Sequence, residues 1–190
     1  MPFDETAQAY CRERGIDASE AVFPDEGCSY CERLVIDLSA VSCMLSVPHS
    51  VANAKPVAEL ARTPIEMAVM GTCTNGRLED FEAIAPLLKK TDRPFCVQTL
   101  VIPASRSIYA AITENGIAAM LLKKGAMLLP PGCGPCCGSS PGVPRDGFRV
   151  ISTANRNFLG RMGNTKASIY LASPRVVIAS ALAGYITQPE

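Results

Sequence analysis

Histidine is nearly absent: His49 is the only one in 190 residues. A self-contained active site built on imidazole is therefore not expected within this chain. An excess of one charge sign is also missing, since 18 basic side chains face 18 acidic ones. That excludes a broad nucleic-acid or anionic-membrane surface. Long apolar runs are missing too: the longest, 176–186, falls short of a membrane span and contains Ser180 and Gly184. The N-terminus, Met1-Pro2-Phe3-Asp4-Glu5, has no basic region and no apolar core, so no secretory signal is expected. Internal repeats and low-complexity tracts are lacking as well. Apolar residues make up 48% of the chain and charged ones 19%, which argues against disorder and for a domain with a real core.

Cysteine, by contrast, is plentiful. There are nine, an odd number, and three crowd into Cys133-Gly134-Pro135-Cys136-Cys137. Without a signal peptide the expected compartment is reducing and cytoplasmic. There cysteines more often bind metal or do chemistry than form structural disulfides. Cys11, Cys43 and Cys96 read as small buried hydrophobes.

Along the chain, Asp4 to Arg14 reads as a helix and Arg33 to Leu38 as a strand with β-branched residues at its centre. The Pro-punctuated stretch Ser46 to Ser50 reads as a loop. His49 in it reads as a loop or interface hydrogen-bonder rather than a ligand. Ile65 to Met70 is a second apolar run. Arg77 to Lys90 has helical periodicity, with Leu78, Phe81, Ile84, Ala85 and Leu88 on one face. Pro86 should kink that helix or break its last turn. Phe95 to Ile102 reads as a strand, Ser105 to Glu114 and Ile117 to Lys124 as helices, and Ala126 to Leu129 as a short strand. Pro130 to Gly147 reads as loop, Phe148 to Ser152 and Ser168 to Ala172 as strands. Ser173-Pro174 opens a final helix. Alternating strands and helices predict an α/β domain with a mostly parallel sheet covered on both faces. Such sheets bind ligands beyond the C-terminal ends of their strands.

Three loops fall there. Gly71-Thr72-Cys73-Thr74-Asn75-Gly76 joins a strand to a helix. Its small residues allow close approach of a bulky group, and the helix start favours an anion. A plain βα turn around a buried cysteine is the other reading. In 130–138, Cys133 and Cys136 form a Cys-x-x-Cys pair whose two thiolates can reach one metal centre. Cys-Gly-Pro-Cys is also the thioredoxin signature, but the following Cys137-Gly138-Ser139-Ser140-Pro141-Gly142 cannot open the helix that a redox dithiol requires. The third loop, Asn155 to Gly163, carries Arg156 and Arg161, which can grip carboxylates bidentately.

Together these strings resemble the third, iron–sulfur domain of the aconitase superfamily, and most closely its 3-isopropylmalate dehydratase and homoaconitase large subunits. The matching strings are Gly-Thr-Cys-Thr-Asn-Gly-Arg at 71–77, Pro-Gly-Cys-Gly-Pro-Cys at 131–136, Ser-Thr-Ala-Asn-Arg-Asn-Phe-Leu-Gly-Arg at 152–161 and Tyr-Leu-Ala-Ser-Pro at 170–174. Asp37-Leu38-Ser39 and Pro48-His49-Ser50 also look like that family. The resemblance implies one three-layer α/β/α domain over 1–190, with an N-terminal part at 1–62 and a cluster-binding part at 63–190. It implies a 4Fe–4S cluster held by Cys73, Cys133 and Cys136, with one iron left without a protein thiolate. Asn155 and Arg156 match catalytic positions at the cluster and substrate, and Arg156 and Arg161 match substrate-contacting ones.

The implied reaction is isomerisation of a 2-hydroxy di- or tricarboxylic acid by dehydration and rehydration. The serine base and the groups for proton work belong to other domains of that family. The chain therefore reads as a fragment or split subunit that needs the N-terminal domains of the large subunit and a small mobile-domain subunit as partners. Two alternatives stand beside this: a non-catalytic scaffold of the same fold, and a structural zinc module joining Cys28 and Cys31 to Cys133 and Cys136. Cys137 reads as a small residue beside the cluster.

Overall fold

The computed structural model describes residues 3–17 and 21–189; Met1 and Pro2, which begin the N-terminal segment read above, lie outside them. The chain divides into two compact units, 1–38 and 39–190. In the first, helix α1 spans Glu5–Glu13. Asp4 caps it, its carboxylate accepting the Ala7 N–H at 2.9 Å. The strand expected over Arg33 to Leu38 does not form. Leu34, Val35 and Ile36 are 78%, 89% and 70% exposed, and no strand among the described residues pairs with them. β-branched residues favour strands only where a neighbouring strand and an apolar face receive them.

The second unit holds a seven-stranded sheet in the order β2-β1-β7-β6-β3-β4-β5. The strands are β1 Met44–Ser46, β2 Ala54–Pro56, β3 Met67–Gly71, β4 Gln98–Ile102, β5 Met127–Leu128, β6 Arg149–Ser152 and β7 Ser168–Ala172. From β7 to β5 every pairing is parallel. The β1–β2 hairpin joins antiparallel at the β7 edge. The sequence reading had no strand here, and Ser46, read as loop, ends β1. The expected α/β architecture with a mostly parallel, doubly covered sheet is present.

β3 shows why. Its five residues are all buried, because both of its faces are packed. Ala68 and Met70 face a core shared with helices α3 Leu78–Lys89, α5 Ile117–Lys123 and α6 Pro174–Ala183. Met67 and Val69 face a second core with Leu100, Ile102, Val150 and Ile169. That core is closed by Cys136, on a 3₁₀ turn at Gly134–Cys137, and by Ala154 and Met162. The cluster-type loops therefore form the second layer over the sheet.

Several boundaries differ from the sequence reading. α3 runs on through Pro86 to Lys89 and does not break its last turn. β4 starts at Gln98 and not Phe95, because the Phe95 and Cys96 N–H groups bond Lys124 O and Ala181 O instead of a neighbouring strand. β5 keeps only Met127–Leu128 of the run expected over Ala126 to Leu129. Helix α4, Arg106–Glu114, starts as expected, with the Ser105 hydroxyl accepting the Ile108 N–H at 3.3 Å. At α6, Pro174 takes the first turn but the Ser173 side chain makes no capping bond. Cys96 is exposed, not buried, and its thiol donates to Leu182 O at 3.0 Å; Cys11 and Cys43 are half-buried. No helix among the described residues is long and apolar enough to cross a membrane.

Candidate functional site

Because β3, β5 and β6 are parallel, the loops after their C-terminal ends emerge at one edge of the sheet. After β3 the chain turns into the single helical turn α2, Thr72–Asn75. Gly71 has φ +105°, and a Cβ there would stand 2.1 Å from Ile102 O, so only glycine lets the ends of β3 and β4 come this close. Thr72 follows at φ +71°, a left-handed conformation that strains a β-branched residue. It is fully buried, and its hydroxyl oxygen has no hydrogen-bond partner among the described residues. The turn so formed presents Cys73 exposed, which sets aside the buried-cysteine reading of this loop.

The loop after β5 is anchored where the Gly132 N–H donates to Pro103 O at 3.2 Å. The Gly134–Cys137 turn follows and ends at Gly138, with φ +74° and its N–H on Pro135 O. Cys136 is 3% exposed, while Cys133 and Cys137 open to solvent. The loop after β6 is locked to the first. The Thr153 hydroxyl accepts the Gly71 N–H at 2.8 Å and donates to Gly71 O at 3.0 Å. Asn75 Nδ2 donates to Thr153 O at 2.7 Å.

These anchors bring the sulfurs into one neighbourhood. The charge of Cys73, above all, pushes the Cys133 thiol up from its ordinary value. Loss of hydration, a hydrogen bond with Cys73 and the charges of Cys137 and Cys136 act in the same direction. Arg161 Nη2 donates to Cys136 Sγ at 3.5 Å, and Asn155 Oδ1 lies 3.9 Å from the same sulfur. Arg161 Nε is buried without a partner among the described residues, and its guanidinium lies 5.4 Å over the Phe158 ring. Hydrogen bonds from the Ser139 side chain and backbone hold the Cys137 thiol below its usual value, and the Arg161 charge adds to this. Arg156 is exposed, with Nη1 on Asn155 O at 2.7 Å. All six residues singled out from the sequence thus lie on these three loops.

Among the described residues no three His, Cys, Asp or Glu side chains converge as they would on a single metal ion. Cys28 and Cys31 are both exposed, and Cys28 Sγ donates to Tyr30 Oη at 3.3 Å. Thiolates that each take a different iron of a cluster stand further apart than thiolates sharing one ion. An all-sulfur set from two loops, with an arginine donating to one sulfur, suits an anionic iron–sulfur cluster.

Comparison with known proteins gives the same direction. The model of the aconitase family (aconitate hydratase) matches residues 1–184. This chain belongs to the aconitase family. It is 45% identical over 190 residues to a probable methanogen homoaconitase large subunit of Methanosarcina mazei, covering 100% of this chain and 48% of that protein. It is 43% identical over 188 residues to the 3-isopropylmalate dehydratase large subunit of Elusimicrobium minutum, covering 98% of this chain and 45% of that one. A homoaconitase large subunit of Thermus thermophilus is 45% identical over 169 residues, 89% of this chain and 40% of its own length. The chain spans about half the length of the curated relatives it matches.

Reading the sequence missed residues that build this aconitase-family site without touching it. Thr153 and Asn75 fasten two loops together. Asn157 is fully buried, and its Nδ2 donates to Val47 O at 2.9 Å and Ile169 O at 3.3 Å, tying the third loop to the chain after β1 and to β7. Asn157 shares its loop with Asn155, and nothing in the local sequence names the partners of either.

Proposed function

We propose that this chain is the cluster-bearing part of an aconitase-family hydro-lyase, holding a 4Fe–4S cluster through Cys73, Cys133 and Cys136. Its reaction would isomerise a 2-hydroxy di- or tricarboxylic acid, of the 3-isopropylmalate type, by dehydration and rehydration. The observation that carries this reading is the gathering of cysteine sulfurs and two arginines at the C-terminal edge of a parallel sheet. When bound, the cluster supplies a Lewis-acidic iron that eases departure of hydroxide without net redox change. The protein's own groups do the rest. Arg156 presents a planar guanidinium at the open edge, suited to a two-point grip on a carboxylate. Arg161 steadies Cys136 through Nη2, and its charge favours a second carboxylate at the same edge. Asn155 places its amide beside Cys136 and its carbonyl under Arg156.

A base, an acid and a cover against water are still required. The relatives' names specify a large subunit, which supports a companion small subunit, and their remaining length supports further domains. Phe158 and Leu159, 50% and 55% exposed on the third loop, give the site an apolar margin for such partners.

Anaerobic purification tests the cluster: the protein should contain iron and acid-labile sulfide, and Cys73→Ser, Cys133→Ser or Cys136→Ser should abolish both while Cys11→Ser does not. An intact cluster in Cys73→Ser would sink the assignment. Turnover of isopropylmalate, homocitrate or citrate should appear only with chains supplying the other domains. Normal turnover by the isolated chain would overturn the subunit reading.

A further inference from the structure

Four cysteines, not three, share the candidate site. We propose that Cys137 is a fourth, displaceable thiolate of the cluster, covering the iron that Cys73, Cys133 and Cys136 leave open until substrate takes its place. The proposal rests on the cluster-bearing reading above.

Cys136 and Cys137 are consecutive in a 3₁₀ turn, where neighbouring side chains diverge by roughly a third of a revolution. Cys136 accordingly points into the core at 3% exposure, while Cys137 faces out on the open side. Cys137 nonetheless stays with the group. Its sulfur lies within electrostatic reach of Cys133, as those of Cys73 and Cys136 do. It also lies within reach of Arg161, whose Nη2 contacts Cys136. The side chain is not wedged in place. It rests on hydrogen bonds from Ser139, whose hydroxyl lies 3.0 Å away, and from the adjoining backbone, with solvent on its other side. Gly138, at φ +74°, ends the turn immediately after it. An exposed thiol on a short turn can swing between a serine and a nearby metal, whereas a buried one such as Cys136 cannot.

The exchange balances without redox chemistry. The Cys137 thiol gives its proton to solvent, and a sulfur lone pair forms one Fe–S bond. When substrate displaces the sulfur, that bond breaks heterolytically, the electron pair leaves with the thiolate, and the sulfur returns to Ser139. In the resting state the iron most open to oxidants is thereby covered.

Alkylation of the anaerobically reconstituted full chain with iodoacetamide, followed by peptide mapping, tests this. Cys96, which is exposed, should be labelled, while Cys73, Cys133, Cys136 and Cys137 are all protected; removing the iron should open Cys137 to labelling. Ferricyanide titration of Cys137→Ala should then yield the EPR signal of a three-iron cluster at oxidant levels where the wild-type protein yields none. The proposal is overturned if Cys137 is labelled at the rate of Cys96 while the other three stay protected, or if both proteins give the three-iron signal together. If all four are labelled and no iron is retained, the cluster-bearing reading itself falls and takes this proposal with it.

Discussion

Thr153 and Gly71 hold each other from both sides: one hydroxyl accepts the Gly71 N–H at 2.8 Å and donates to the Gly71 carbonyl at 3.0 Å. Both residues are buried, so water cannot replace either bond. The pair fixes the start of the Cys73 loop against the start of the Asn155–Arg161 loop. Thr153→Val keeps the shape and removes both bonds, leaving a buried N–H unpaired. The expected cost is about 1–3 kcal/mol, read as a lower urea midpoint. Thr153→Ser keeps the hydroxyl and should lose much less. Equal loss in the two variants would mean that packing, not hydrogen bonding, is what Thr153 supplies.

A second fastening joins the other pair of loops. A Cβ on Gly138 would stand 2.5 Å from the Gly163 nitrogen, so the two backbones touch. Gly147 has nearly the same conformation, φ +77° against +74°, but open space where its Cβ would go. Gly138→Ala and Gly147→Ala therefore share the backbone penalty, about 1 kcal/mol or more. Only Gly138→Ala adds a clash. It should unfold at a clearly lower temperature than Gly147→Ala and retain less iron after reconstitution. Matching melting temperatures would show that the contact yields freely.

How far the sequence carried this site follows from the range of each interaction. The strand Ser168–Ala172 was legible from its Ile169-Tyr170-Leu171 centre and the Ser173-Pro174 that follows it. Helix α3 was legible from Leu78, Phe81, Ile84, Ala85 and Leu88; Phe81, Ile84 and Leu88 are buried at that spacing, and Leu78 and Ala85 partly so. The run at Leu34 to Ile36 carries equally good strand chemistry and forms none, since a strand also needs a partner that no local pattern records. The three-residue strands β1 and β2 are too short to show a period. The cysteines and arginines stood out by type and spacing. Thr153 with Gly71, and Gly138 with Gly163, are pairs of ordinary residues far apart in sequence, and their meaning exists only once the sheet is parallel.

At the opposite end of β3 an ion pair sets an acid limit on stability. The Glu66 carboxylate accepts from the Arg149 backbone N–H at 2.7 Å, from Nη2 at 2.7 Å and from Nε at 3.3 Å. The Arg149 side-chain hydrogen bonds hold Glu66 below the usual carboxylate value, against a smaller opposing effect of burial. A depressed folded-state value means that the unfolded chain takes up the proton first as pH falls. The contribution is therefore complete above the ordinary Glu value of about 4.3 and is lost as pH drops through the lower folded value. Both side chains are about a third exposed, so Glu66→Gln should cost no more than about 1 kcal/mol at neutral pH. The gap between wild type and variant should narrow in urea melts taken below that pH. A gap that widens on acidification would reverse the assigned sign.

Arg156 and Arg161 separate the two duties assigned to arginine at this site. Arg161 is built into the protein: Nη2 reaches the Cys136 sulfur at 3.5 Å, and its guanidinium stacks over Phe158. Arg156 is exposed, its Nη1 on the neighbouring Asn155 carbonyl at 2.7 Å, and it stands open to a ligand. Lysine keeps the charge at either position but not the planar pair of N–H groups. In an assembly reconstituted with its complementing chains, Arg156→Lys should leave iron content and visible absorption unchanged. Turnover should fall on the order of a hundredfold, because a carboxylate held at one point is misplaced by about an ångström. Arg161→Lys should instead alter the visible spectrum or the rate of iron loss, since the donor to Cys136 moves. Steady-state rates measured beside iron stoichiometry distinguish the two. If Arg156→Lys sheds iron and Arg161→Lys changes only turnover, the roles are exchanged, and Arg161 is the residue that meets the substrate.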